Sequence, residues 1–255
     1  MMETRLKSRI TPGLGALIEV GILFLPAIPA YLWVWPVVSG QTQEIFQIIV
    51  YIYVLAGTLF IGLRRWKPAQ LGLNLKGIWL SLVCAAAILA GRLMIILAVQ
   101  MSGPPPHYSP LALLGQILYL FGLVGLVEEL LFRGLVYHAL EEWLSPRWAI
   151  WGSAFGFMLW HIFGHGVVIG AATFFIGLAF ALIRQRAGGI LGLIVLHALW
   201  DLESALLVSD ANSENAANLQ QVNLPHPVLA WVGFILMLAV PLYLWLFYGR
   251  IAKKI

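Results

Sequence analysis

Cysteine is almost absent from this sequence, and charge is scarce. The single thiol, Cys84, excludes an intrachain disulfide framework and a thiolate metal cluster. Only 10% of the residues are Asp, Glu, Lys or Arg, against about 25% in a soluble domain. A glycine-rich phosphate loop, a dinucleotide fingerprint and the Gly-x-Ser-x-Gly elbow of serine hydrolases are also missing. No internal repeat marks a solenoid or an inverted-repeat transporter.

What is there instead is hydrocarbon. The 255 residues are 61% hydrophobic and their mean hydropathy is +0.91. Eight apolar runs, at 14–38, 44–63, 77–100, 111–138, 148–165, 167–184, 189–208 and 228–248, each approach the ~20 residues that cross a bilayer as a helix. An all-α polytopic membrane protein of about eight transmembrane helices is therefore expected, as a single multi-pass domain over 1–255. The first run is too long and too rich in proline for a cleaved signal peptide, and Pro26, Pro29 and Pro36 are expected to kink it. The connector 64–76 has an amphipathic middle suited to the membrane interface, and 102–110 and 209–227 are proline-rich and polar loops.

The formal charge of +4 is explained by where the cations lie. With the amino terminus inside, the cytoplasmic segments hold Arg5, Lys7, Arg9, Arg64, Arg65, Lys67, Lys76, Arg147, Arg184, Arg186, Arg250, Lys253 and Lys254, and the opposite segments hold none. Such asymmetry predicts cytoplasmic termini. It also removes any need for nucleic acid as a partner; membrane lipid and a protein or peptide are the partners expected, with the cell membrane as the location.

Against that background six polar residues stand out: Glu128, Glu129, Arg133, His161, His197 and Asp201. A charged side chain near the bilayer centre costs about 2.5–3.5 kcal/mol on insertion scales. Glu129 and Arg133 have the i,i+4 spacing of an ion pair, while Glu128 points about 100° away around the helix. His197 and Asp201 are also four apart, so a hydrogen bond between them can fix the imidazole tautomer. Glu128 and His161 lie almost equally far from a hairpin turn at 145–147, so antiparallel helices place them at one depth. A carboxylate and an imidazole facing a wet cavity can deprotonate water, and a second histidine can donate to a developing oxyanion.

The stretches "EELLFR" (Glu128, Glu129, Arg133), "FMLWH" (Phe157, His161) and "HALWD" (His197, Asp201), in that order on separate helices, resemble the three motifs of the CPBP family of CAAX proteases and bacteriocin-processing enzymes. The eight-span layout looks like the type II prenyl protease branch. The resemblance is carried by residues 128–201, within an expected catalytic core at 110–208. It implies a glutamate-dependent intramembrane endopeptidase in which Glu128 and His161 activate water and His197 with Asp201 stabilises the oxyanion. Glu129, Arg133 and Phe157 would brace the site or bind substrate. Asp201 stands where the prenyl proteases tend to have Asn. A carboxylate repels an oxyanion, so Asp201 must be protonated or act through His197.

Each feature has a plainer alternative. Glu129–Arg133 can be a structural ion pair, and His197–Asp201 a polar packing contact. No metal is needed, but His161 and His165 are spaced to offer zinc two ligands, without the Glu of a His-Glu-x-x-His protease. Glu19 and Arg92 are expected to pair with each other or line the cavity, and Glu203 to shape the site from another face. His107, His138 and His226 read as interface or loop residues, and most of the 11 Trp as interface anchors. Two other functions remain open: a non-catalytic membrane scaffold or regulator, and a proton-coupled transporter.

Overall fold

The computed structural model describes residues 11–26, 29–34, 37–98, 107–207 and 225–251. Arg5, Lys7, Arg9, Pro36, Lys253 and Lys254, and most of the segments 102–110 and 209–227, lie outside these residues. Among the described residues all regular structure is helical. Seven helices follow in chain order: α1 Pro12–Phe24, α2 Gln41–Leu63, α3 Ile78–Ala98, α4 Pro110–Trp143, α5 Pro146–Ala187, α6 Leu191–Leu207 and α7 Pro227–Ile251.

Among the described residues, five helices are long and apolar enough to cross a membrane: α2, α3, α4, the part of α5 from Gly166 to Ala187, and α7 over Pro227–Phe247. The remaining expected runs are shorter or more polar. Helix α1 has 13 residues, about 20 Å at ~1.5 Å per residue, against a hydrocarbon core of ~30 Å. It ends at Phe24, where the Leu25 N–H turns to the Ile22 carbonyl, and Pro26 beyond it has no N–H with which to continue the ladder; a short π-helical turn, Ala30–Val34, follows. Helix α6 has 17 residues. The run expected at 148–165 is the first arm of α5, which folds back at Gly166, where φ is 82° and ψ 172°. Only glycine adopts that geometry readily, and it falls between the two runs expected at 148–165 and 167–184. Large apolar side chains such as Leu111, Trp79 and Val168 are exposed, as a lipid-facing surface requires.

The chain forms two compact units, one from 1–78 with 126–191 and the other from 79–125 with 192–255. In the first, α2 turns Val50, Tyr51, Val54, Thr58 and Ile61 inward, the three-and-four spacing of one helical face. The second half of α4 is its centre: Val127, Leu130, Leu131 and Leu135 are all buried. The two arms of α5 approach closely where a side chain on Gly177 would touch Ala154, the small-residue contact that lets membrane helices pack without a hydrophobic drive. The connector 64–76 is irregular. It makes a series of turns, buries Leu71, and lays its Leu71 carbonyl 3.0 Å from where a Cβ on Gly134 would stand.

In the second unit α3 and α7 meet at Gly91 and Gly233, each lying against the other's backbone, and Pro241 is accommodated inside α7. Helix α6 buries Leu193, Ile194, Leu196, His197 and Ala198.

Candidate active site

Helix α4 is not a regular α-helix. Two π-helical stretches, Leu120–Val124 and Leu130–Val136, flank the α-helical turns Gly125–Glu129. Such stretches concentrate at functional sites because they re-aim side chains and free backbone groups. The acidic pair Glu128–Glu129 sits at the end of the α-helical piece, and Arg133 within the second π stretch.

Glu129 and Arg133 are both fully buried, with Arg133 Nη1 donating to Glu129 Oε1 at 2.7 Å. The guanidinium lies over the rings of Phe157 (4.1 Å) and Phe180 (5.0 Å), one on each arm of α5, and its Nη2 reaches the Gly177 carbonyl at 3.5 Å. The pair therefore clamps α4 to both arms at once. A second arginine supports this region. Arg184, near the end of the second arm of α5, is buried. Its Nε donates to the Arg133 carbonyl at 3.1 Å and its Nη2 to the Gln70 carbonyl at 3.0 Å. Carbonyls freed by irregular backbone and buried need such donors.

Glu128 is also buried but differently partnered. Its Oε1 accepts from Tyr51 on α2 at 2.5 Å and from the Trp160 indole at 3.0 Å. Its Oε2 stands 3.8 Å from His161 Nε2. The structure thus brings together the two residues that their distance from the 145–147 turn places at one depth. His161 is anchored from its other nitrogen, since Nδ1 lies 2.9 Å from the Phe157 carbonyl. A carbonyl oxygen only accepts, so Nδ1 carries a proton and Nε2 is the nitrogen turned toward Glu128. Phe157 is therefore a link: its ring supports Arg133, its carbonyl orients His161, and the two rings stack at 4.4 Å.

An apolar cavity of about 370 Å³ adjoins this arrangement, bordered by Val20 and Phe24 of α1, Phe132 and Val136 of α4, and Trp160 and Phe163 of α5. Trp160 belongs to both, lining the cavity with its ring and bonding Glu128 with its N–H. Sequence spacing does not reveal Tyr51 or Trp160 as members of the site. Trp160 precedes His161 directly and Tyr51 is a hydroxyl within an apolar run, but nothing in the spacing connects either to Glu128.

In the second unit His197 is buried, and its Nε2 stands 3.6 Å from Asp201 Oδ2. That is an ion-pair distance, longer than the expected hydrogen bond. Arg92 does not pair with Glu19. It binds Glu203 at 3.0 Å, the Trp200 carbonyl and the Ser204 hydroxyl, with its guanidinium 4.1 Å over the Trp200 ring. Glu19, in the first unit, pairs with Arg64 (2.6 Å) and Arg65 (2.7 Å). His138 is not a loop residue. It lies in a helical turn of α4, edge-on to Trp66, whose indole bonds Glu142 at 3.1 Å.

Among the described residues no group of three or more His, Cys, Asp or Glu is placed to hold a metal ion. The side chain of His165, the other possible zinc ligand, lies outside them.

A family model described as "Type II CAAX prenyl endopeptidase Rce1-like" matches residues 110–202, the segment carrying Glu128, Glu129, Arg133, Phe157, Trp160, His161, His197 and Asp201. No curated protein and no solved structure matches the chain.

Proposed function

We propose that this chain, which belongs through residues 110–202 to the CAAX protease family, is an integral membrane endopeptidase in which Glu128 is the base that activates water. The observation that carries this reading is that Glu128 Oε2 and His161 Nε2 face each other 3.8 Å apart. A water about 2.8 Å from each donates one hydrogen to the carboxylate and one to the imidazole lone pair. Its own lone pairs then point away from both, toward a carbonyl carbon. His161 is part-exposed where Glu128 is buried, so the imidazole side is the more open side of the pair.

In the proposed reaction Glu128 takes a proton from the water as its oxygen bonds to the scissile carbonyl carbon. The tetrahedral oxyanion forms, and the proton held by Glu128 passes to the leaving nitrogen as the C–N bond breaks. The carboxylate is thereby returned to its starting charge. His197, with Asp201 on its own helix, takes the oxyanion-stabilising role that the family resemblance assigns. Glu129, Arg133 and Phe157 hold Glu128 and His161 in place. The apolar cavity beside Trp160 receives the apolar part of a membrane-associated substrate, which is a protein or peptide. Eight membrane crossings with both termini cytoplasmic, in the cell membrane, complete the reading. Since Cys84 is the single thiol, its replacement followed by cysteines placed one loop at a time reads that topology by labelling from either side.

The test is peptide cleavage by the protein in nanodiscs, on prenylated and unprenylated peptides, comparing wild type with Glu128→Gln, His161→Ala and His197→Ala. Loss of at least ~100-fold in the Glu128 and His161 variants, with no effect of a chelator, is the expected outcome. Activity lost with chelator and restored by zinc moves the reading to a metalloprotease. Wild type that cleaves nothing, while holding a membrane partner that the variants still hold, makes the protein a scaffold.

A further inference from the structure

Glu128 receives hydrogen bonds from two helices other than its own, and both end on the same oxygen. Tyr51, buried on α2, approaches Oε1 at 2.5 Å, and the Trp160 indole of α5 approaches it at 3.0 Å. The two donors also touch each other, with the rings edge-on at 6.0 Å. An indole N–H can only donate, and a phenol bound to a carboxylate donates as well. Oε1 is therefore held as an acceptor from two directions, and the carboxylate plane is set so that the other oxygen, Oε2, faces His161.

We propose that Tyr51 and Trp160 are positioning residues that decide which oxygen of Glu128 acts as the base. This rests on the reading of Glu128 as the water-activating group. A carboxylate has two equivalent oxygens, and a proton taken by the wrong one would be stored away from both the water and the leaving nitrogen. Two donors on Oε1 direct that proton to Oε2, which faces His161. The arrangement also explains a tyrosine hydroxyl and a tryptophan N–H inside apolar helices, where each polar group needs a partner. Because the ring of Trp160 lines the apolar cavity, the same residue joins the wall on which substrate would rest to the carboxylate that would act on it.

Tyr51→Phe removes one oxygen and keeps the ring against Trp160. We expect kcat to fall between about 10-fold and about 100-fold, the scale of a misplaced catalytic group, with KM within about twofold. Trp160→Phe is expected to lower kcat comparably. The double variant should lose less than the product of the single losses, because both donors act on one oxygen. A loss confined to KM, or losses that multiply fully, would overturn the proposal in favour of packing. A second readout needs no substrate: the indole ¹⁵N–¹H resonance of Trp160, assigned by its disappearance in Trp160→Phe. It should move upfield in Glu128→Ala, and an unmoved resonance would overturn the contact itself. Wild type that cleaves no peptide overturns the peptidase reading and the catalytic role of the two donors with it, while the indole shift separately decides whether they hold Glu128.

Discussion

Two arginine–carboxylate centres, one in each unit, are built from the same parts and differ in how far water reaches them. In the first unit Arg133 holds Glu129, bonds a backbone carbonyl and lies over aromatic rings, with both side chains fully buried. In the second, Arg92 holds Glu203, bonds a backbone carbonyl and lies over Trp200, but the two side chains keep 12% and 14% of their surface. A guanidinium suits both because its planar fork can serve a carboxylate and a carbonyl while its face rests on a ring. The degree of burial sets what each can be used for. A sealed pair is held by the cost of exposing either charge alone, so it makes a rigid mount, and it lies directly beside the Glu128–His161 pair. A part-exposed pair, as at Arg92, is cheaper to open.

Arg133→Met separates the two centres most sharply, because it leaves Glu129 buried without its cation. We expect a loss of about 3–5 kcal/mol, seen in SDS-titrated unfolding in bicelles or as failure to accumulate in the membrane. Replacing both partners, as Glu129→Leu with Arg133→Met, should recover most of that loss, since an apolar pair of similar volume carries no desolvation cost. If the double variant is no better than Arg133→Met alone, the pair is held by something other than mutual charge compensation. Arg92→Met should cost less, about 1–3 kcal/mol, because water can reach part of what it leaves behind. A cost equal to that of Arg133→Met would erase the distinction between the centres.

The smallest effect belongs to the pair most open to solvent. Glu19 and Arg64 keep 33% and 46% of their side-chain surface, so Glu19→Gln should cost about 0.2–1 kcal/mol. Raising the salt from about 0.1 M to about 1 M, where screening shortens to ~3 Å, should shrink that cost and leave the Arg133 effect nearly unchanged. A salt-sensitive Arg133 effect would mean that water reaches the first centre.

Much of the fold and of the site is legible in the residues alone, and the legible parts share a character. Glu129 and Arg133 meet because residues four apart on a helix must. The fold-back of α5 falls at Gly166 because two apolar runs are separated there by a residue without a Cβ. Glu128 and His161 are related by their nearly equal distance from one turn. The parts that are not legible share a character too. Glu19 and Arg92 find other partners, Arg184 bonds an irregular stretch of α4, and the 64–76 connector buries Leu71. None of these outcomes is set within one helix.

Composition and local spacing were enough to set the solvent, the helices and the pairs within a helix. Run length is measured against a bilayer of fixed thickness, and side-chain direction repeats every 3.6 residues. It took tertiary packing to bring Tyr51, 77 positions before Glu128, and Trp160, 32 positions after it, to the same oxygen. Packing also turned Arg184 to serve the carbonyl of Arg133. The reason is that a helix dictates its own spacing but not its rotation against a neighbour. That rotation is settled by how whole faces of small and aromatic side chains pack together.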